Sequence, residues 1–236
     1  TEDRPRVLVV NSPAGDGPAL PTGPFDPVEH DSLESGLRRS VEAQTGLDLY
    51  YVEQLYTFGN RFRDPVEIKG GPRLVSVAYV ALTHEDAVKA PNAEWRDWYS
   101  FLPWEDWRAG RPEVIAAAIE PALRFWVNAG TAGARPNGRT STAGARPSGR
   151  KERQERVTVT FGTGPTTEMD AVLSLERFEL LYEAGVVAEA MRDRSAADDN
   201  NWDDTAISSE LGAPLDSDHR RILAAALGRL RGKLAY

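Results

Sequence analysis

The apolar positions change period several times along the chain, and each change marks an element. Arg6–Val10, RVLVV, is a short continuous apolar run of the buried-strand type. Tyr51–Phe58, YVEQLYTF, mixes β-formers with polar residues and predicts a second strand, ended by Gly59 and Asn60. Arg73–Thr83, RLVSVAYVALT, is the clearest strand pattern in the sequence. Between the first two, Leu33, Leu37 and Val41 recur at helical spacing and should face a core. Asp31, with Glu34 three residues on, is placed to cap that helix, and Gly46 to end it. Asn11–Pro27 and Arg61–Pro72 are marked by Pro and Gly and read as loops. Strands and a helix in this order predict an α/β fold, with helices covering a sheet.

The second half is more helical. WRDWYSFLPWEDW places Trp95, Trp98, Trp104 and Trp107 around Pro103, which suits a helix, a turn and a second helix start. Such a cluster could stack on nucleic-acid bases, but bulky aromatics at spacing three more often bury or line a subunit interface. Arg111–Val127 reads as an amphipathic helix carrying Val114, Ile115, Ile119, Leu123 and Trp126, kinked at Pro121. TAGARPNGR and TAGARPSGR, two residues apart, then form a near-duplication over Thr131–Arg150 that has too little apolar surface for a core. With Lys151, Arg153 and Arg156 it predicts a flexible basic loop over 131–156, either a phosphate-contacting arm or, as the simpler reading, a solvated expansion. Arg156–Phe161, RVTVTF, alternates as a strand does. Glu168–Arg194 predicts a helix with Val172, Leu175, Phe178, Leu181 and Tyr182 on its apolar stripe, interrupted by Gly185. The acidic stretch within 195–212 lacks the glycine and closing glutamate of a calcium loop and reads as a flexible connector. Ser217–Tyr236 is a last amphipathic helix, expected to be basic on its outer face.

Composition narrows the functional classes. A chain of 236 residues can bury a sizeable core, and no apolar run is long enough to span a membrane. There is no cysteine, so disulfides and thiolate metal sites are excluded, and a reducing cytoplasm is the simplest home. His30, His84 and His219 are widely separated, which disfavours a multi-histidine zinc site. A net charge of −8 and a pI near 5.1 argue against this segment as a principal nucleic-acid surface.

One stretch carries recognisable chemistry. Counted back from Gly46 and Leu47, Gly23–Leu47 keeps the frame of the motif of Nudix hydrolases, with Arg39 at its arginine and Val41 at an aliphatic position. The motif's helical glutamates are replaced by Ser40, Ala43 and Gln44, its earlier glutamate by Asp31, and its glycine by Phe25, with Gly23 two residues out of register. Glutamates at 40, 43 and 44 would share one helix face and hold Mg²⁺ against a pyrophosphate; the residues present offer no negative charge. Further segments are similar to bacterial Nudix-related regulators of NAD metabolism: Glu53–Gly59, Arg63-Asp64-Pro65 and Val75–Tyr79, then Asp218-His219, Ile222-Leu223, Ala226-Leu227 and Arg229–Tyr236. The long stretch between Thr83 and Asp216, more than a compact Nudix domain needs, resembles the larger, NadQ-type members of this NrtR-like group.

The resemblance implies a Nudix-like mixed sheet between helices across residues 1–236, enlarged by a helical insertion over about 84–215 and the flexible basic loop. It implies a sensor domain that binds a nucleotide effector (ADP-ribose, ATP or NAD), with no catalytic residues, no bound metal and no other cofactor. It also implies a homodimer acting in the cytoplasm, DNA as partner through a winged-helix domain after residue 236, and no membrane. The effector-site candidates are Arg39, which in the family commonly braces the motif loop, Ser40 and Gln44 as phosphate donors, Arg61 and Arg63 as diphosphate partners, and Phe25 and Tyr56 as adenine-stacking rings. Two alternatives stay open: an active Nudix hydrolase using Asp31, Glu34, Glu42 or Glu53, and an interaction scaffold with no ligand.

Overall fold

The computed structural model describes residues 4–12, 17–61, 63–68, 70–84, 88, 90–129, 149–162, 170–195 and 211–234. Strand β1 (Arg6–Asn11) is the centre of a three-stranded antiparallel sheet, flanked by the two-residue β2 (Pro18–Ala19) and by β5 (Ala93–Asp97). Its register is fixed by Leu8 opposite Trp95 and Val10 opposite both Ala19 and Ala93. Strands β3 (Val52–Phe58) and β4 (Ser76–Ala81) form a separate antiparallel pair, with a register shift between Gln54 and Tyr56. The α/β class stands, and the strands divide into two sheets.

Helix α1 (Leu33–Thr45) forms where the helical spacing places it, but its cap differs. Ser32, not Asp31, is the N-cap: its hydroxyl accepts from the Ser35 N–H while the Ser35 hydroxyl accepts from the Ser32 N–H, so Ser35 replaces Glu34 in the reciprocal box. Gly46 ends the helix at φ 71°, a left-handed cap that suits glycine. Val41 and Leu47 are buried against Leu8 of β1, with Leu37 beside them. Leu33, expected in the core, is 42% exposed because it opens the helix at its outer end.

The main core is built mostly from residues 98 onward. Trp98, Phe101, Leu102 and Trp104 are buried, and Trp95 and Trp107 partly so, which answers the tryptophan cluster as packing. Its local structure is not two helices: residues 93–97 are β5, and Trp98–Ser100 and Pro103–Glu105 are single 3₁₀ turns. Pairing with β1 outweighs the spacing of three. Residues 93–97 fall inside the stretch expected to be an insertion, yet complete the first sheet. Around Pro121 the helix is irregular. Ile115–Ile119 widens into a π-helical segment in which the Glu120 N–H reaches the Ile115 carbonyl, and α3 (Glu120–Asn128) continues with Pro121 in its first turn.

Two expectations over 131–161 change. Arg150–Phe161 is helix α4, so RVTVTF is not a strand and residues 150–156 of the expected loop are ordered. Arg153, Val157, Thr160 and Phe161 bury at spacings of four, three and one, and burying that face offsets the β-preference of Val157, Thr158, Val159 and Thr160. The near-duplication itself, apart from Gly149 and Arg150, lies outside the described residues. Helices α5 (Ser174–Ala184) and α6 (Ala188–Ser195) are separated at Gly185, φ 76°, as the sequence indicates. Most of the expected connector over 195–212 also lies outside the described residues, but Leu211 is fully buried. The short one-turn α2 (Pro65–Ile68) interrupts the loop between β3 and β4.

The last helix, α7 (His219–Leu234), packs on α5 and β3. Its pattern predicts basic residues on the outside, and the reverse holds for its first turn: Arg220 and Arg221 are buried at 0% and 4% exposure. None of the described helices is long and apolar enough to cross a membrane.

Candidate functional site

The stretch before α1 folds back onto that helix, and two glycines allow it. A Cβ on Gly23 would lie 2.7 Å from the Ser40 Cβ, and one on Gly36 would lie 2.6 Å from His30 Nδ1. At both places only a hydrogen can sit at the contact. The Gln44 amide then fastens the loop: its Nε2 donates to the Thr22 carbonyl at 2.5 Å and to the Ser40 carbonyl at 3.0 Å, and its Oε1 accepts from the Thr22 N–H at 3.4 Å. Upstream of α1, Asp26 Oδ1 accepts from the Val28 N–H, His30 Nδ1 accepts from the Asp26 N–H at 3.1 Å, and the Phe25 ring lies 5.7 Å from that of His30.

Ser40 and Gln44, proposed from sequence as phosphate donors, are therefore held by the chain's own loop. Two of the three helix positions at which the motif would place carboxylates face loop backbone. A carboxylate in place of the Gln44 amide could accept from the Thr22 N–H but could not donate to its carbonyl. Arg39 is exposed and makes no ion pair among the described residues. Its neighbour Arg38 pairs with Glu34 at 2.8 Å and donates to the Leu49 and Tyr50 carbonyls.

The acids that an unconventional hydrolase would need do not converge. Glu34 is committed to Arg38, and Glu53 to Arg229 and Lys233 of α7. Hydrogen bonds from Lys233 and Arg229 hold the Glu53 carboxyl below the usual range. Asp31 and Glu42 are exposed. Among the described residues no group of three or more His, Asp or Glu is arranged to hold a metal ion.

The remaining candidates gather at the end of β3. Tyr56 is 45% exposed, with its ring 4.9 Å from that of the buried Phe58. The Arg63 guanidinium lies 5.9 Å from the Phe58 ring centre. It is not available to a diphosphate: it is 5% exposed, ion-paired with Asp218, and donates to the Ser76 hydroxyl at 2.8 Å. Arg61 lines an open cleft of about 490 Å³ together with Glu67, Gly70, Gly71 and Arg73. The seven candidates thus fall in two places: the α1 surface with Phe25, Arg39, Ser40 and Gln44, and the β3 end with Tyr56, Arg61 and Arg63.

What sequence reading missed is the partner of that second place. Just before and within the first turn of α7, a run of polar side chains ties distant parts of the chain together. Asp216 accepts from the Ser12 hydroxyl at 2.6 Å, the Ser217 hydroxyl donates to Asp64 at 2.8 Å, and Asp218 takes Arg63 and, at 3.5 Å, Arg221. Arg220 pairs with Glu189 at 2.5 Å and Arg221 with Glu179 at 2.7 Å. Burial alone would raise the Asp218 carboxyl; the charges of Arg63 and Arg221 outweigh it and hold it below the usual range. His219 is pushed down, chiefly by burial, and its Nδ1 accepts from the Leu20 N–H at 3.0 Å, which requires that nitrogen to be unprotonated. Arg63-Asp64-Pro65 and Asp218-His219 both stand out in the sequence, but nothing in it pairs them across 155 positions.

No protein-family model and no curated protein sequence matches the chain. Among solved structures, the chain is similar to the NUDIX domain of Shewanella oneidensis NrtR complexed with ADP ribose: 28% identity over 41% of this chain and 65% of that one, TM-score 0.35. It is similar to S. oneidensis NrtR at 25% identity, over 53% of this chain and 60% of that one, TM-score 0.36. For the same protein complexed with a 27mer DNA the values are 24%, 53%, 58% and 0.37. The chain thus spans less than two thirds of the length of each.

Proposed function

We propose that this chain is the effector-sensing domain of a transcriptional repressor of NAD biosynthesis or salvage genes, binding a nucleotide such as ADP-ribose, ATP or NAD without hydrolysing it. The observation that carries the reading is the loop fastened across α1. Nudix hydrolysis needs a divalent cation to activate water and to neutralise the phosphate, held by carboxylates on that helix. Here Ser40 and Gln44 stand at two of those positions, one packed against Gly23 and the other bonded to Thr22. A scaffold shaped to grip a nucleoside diphosphate keeps recognition surface when its metal ligands go. Exposed surface for it remains on Phe25, Arg39, Tyr56 and Arg61.

In this reading DNA is contacted by a separate winged-helix domain, and two copies act together. Ligand binding regulates DNA affinity if it favours one arrangement of the dimer over the other. Calorimetric titration with ADP-ribose, ATP and NAD, paired with product analysis for AMP in the presence of Mg²⁺ or Mn²⁺, tests both halves. Saturable binding of one nucleotide without AMP release is the expected result. Turnover at ordinary hydrolase rates sinks the non-hydrolysing half, and silence from all three nucleotides sinks the sensor.

A further inference from the structure

In the cleft formed by the loop that connects β3 and β4, exposed cationic side chains, backbone and an internal tether meet. Arg61 and Arg73 line it from the two ends of the connecting loop, with Gly70 and Gly71 between them. Gly70 sits at φ 89°, and a Cβ on Gly71 would lie 2.6 Å from Val66 Cγ1 and 2.8 Å from the Val66 carbonyl oxygen. Gly70 and Gly71 therefore present backbone to the cleft.

Arg73 is the informative residue. Its Nε donates to the Gly59 carbonyl at 3.0 Å, and its Nη2 donates to the same oxygen, so the guanidinium is fixed in position. Two of its five N–H donors are engaged this way, and it has no acidic partner among the described residues. An oriented arginine with donors to spare and no carboxylate on it is built for an anion, and its planar fork suits phosphate oxygens. The chain as a whole carries a charge of −8, and Arg73 brings to this cleft a positive charge that no carboxylate answers among the described residues.

We infer that this cleft binds the phosphate or diphosphate group of an anionic ligand, with Arg73 as its principal contact and Arg61 as its second. The loop that frames it is anchored behind by Arg63 on Asp218 and by Asp64 on Ser217, so occupancy bears directly on the start of α7. The assignment rests on the nucleotide-sensing reading for the organic part of the ligand and on the cleft alone for its charge.

Isothermal titration of the full chain with inorganic pyrophosphate, and separately with ADP-ribose, tests it. Arg73→Gln should weaken pyrophosphate binding roughly ten- to hundredfold, the range for losing hydrogen bonds to a charged group. Arg73→Lys, which keeps the charge without the fork, should fall between, and thermal melts of each variant check that the fold is retained. Equal pyrophosphate affinity in the wild type and in the Arg61→Gln/Arg73→Gln double variant overturns the assignment, as does a wild type that shows no saturable pyrophosphate binding. ADP-ribose binding that the double variant leaves unchanged also overturns the cleft, while sparing the nucleotide reading. Pyrophosphate binding that depends on Arg73, with no nucleotide bound, supports the cleft and removes the nucleotide reading.

Discussion

Asp218→Asn is the most direct probe of how the β3 end is tied to α7. The carboxylate is 5% exposed, takes the Arg63 guanidinium, and faces Arg221 at 3.5 Å. Asparagine keeps the volume and one acceptor oxygen but removes the charge, so the packing term is close to zero and the electrostatic one is isolated. Arg63 keeps the Ser76 hydroxyl at 2.8 Å and Arg221 keeps Glu179 at 2.7 Å. Arg63 is then the guanidinium without any carboxylate. Removing one partner of a buried pair costs about 3–5 kcal/mol, and the retained bonds place this substitution near about 3. For a chain of this length that corresponds to a fall in Tm of roughly 6–12 °C. Urea unfolding followed by circular dichroism measures it, with Arg63→Met and the double variant closing a thermodynamic cycle. If Asp218→Asn stays within about 1 kcal/mol of the wild type at an unchanged denaturant slope, the buried tether is not structural and the reasoning fails.

Three further outcomes follow from the same geometry. Gln44→Glu keeps the acceptor for the Thr22 N–H but sets a carboxylate against the Thr22 carbonyl now 2.5 Å from Nε2, and should cost about 1–3 kcal/mol, read as a lower urea midpoint and faster amide exchange around Thr22. Gly23→Ala drives a methyl group to 2.7 Å from the Ser40 Cβ, so the loop must lift, at a cost of about 1–3 kcal/mol; an unaltered melting curve would contradict the close approach. His219 has its pKa lowered in the fold, so the unfolded chain binds the proton more readily; its contribution is complete above about pH 6.5 and is lost as pH falls through the lower, folded pKa. His219→Gln should flatten the wild type's loss of stability below about pH 6.5, measured by urea midpoints across that range.

The first half of the fold was legible because its signals are local. Val7–Val10, the α1 spacing with its Gly46 stop, and the β3 and β4 runs each match one period, and each forms. The misreadings share a cause in tertiary pairing. RVTVTF alternates like a strand, yet Val157 and Phe161 lie four apart and both reach the core from a helix. The tryptophan segment carries helical spacing, but β1 offers Leu8 and Val10 an antiparallel partner, and Trp95 and Ala93 take it. Propensity loses where a neighbouring element supplies hydrogen bonds or a buried face.

At the site, the sequence shows which residues stand at the motif positions and not what they touch. That positions 40, 43 and 44 carry no acid can be read from the sequence; that Gly23 and Gln44 close a loop over two of them cannot, because the contact depends on how residues 17–31 return to α1. The same limit hides α7. Arg220 and Arg221 stand beside Leu223, Ala224 and Leu227, and by pattern two adjacent arginines belong outside; they bury because Glu189 and Glu179 reach them from α6 and α5. A buried guanidinium is tolerable only with its acid in place, and the acids lie 31 and 42 positions away. Glu53 on β3 pairs with Arg229 and Lys233 on the exposed side of this helix, and the Arg63–Asp64 corner bonds to Asp218 and Ser217 just before it. The β3 end is thus joined to α7 and the residues just before it by one buried ion pair, Arg63 with Asp218, and by the exposed pairs of Glu53 with Arg229 and Lys233.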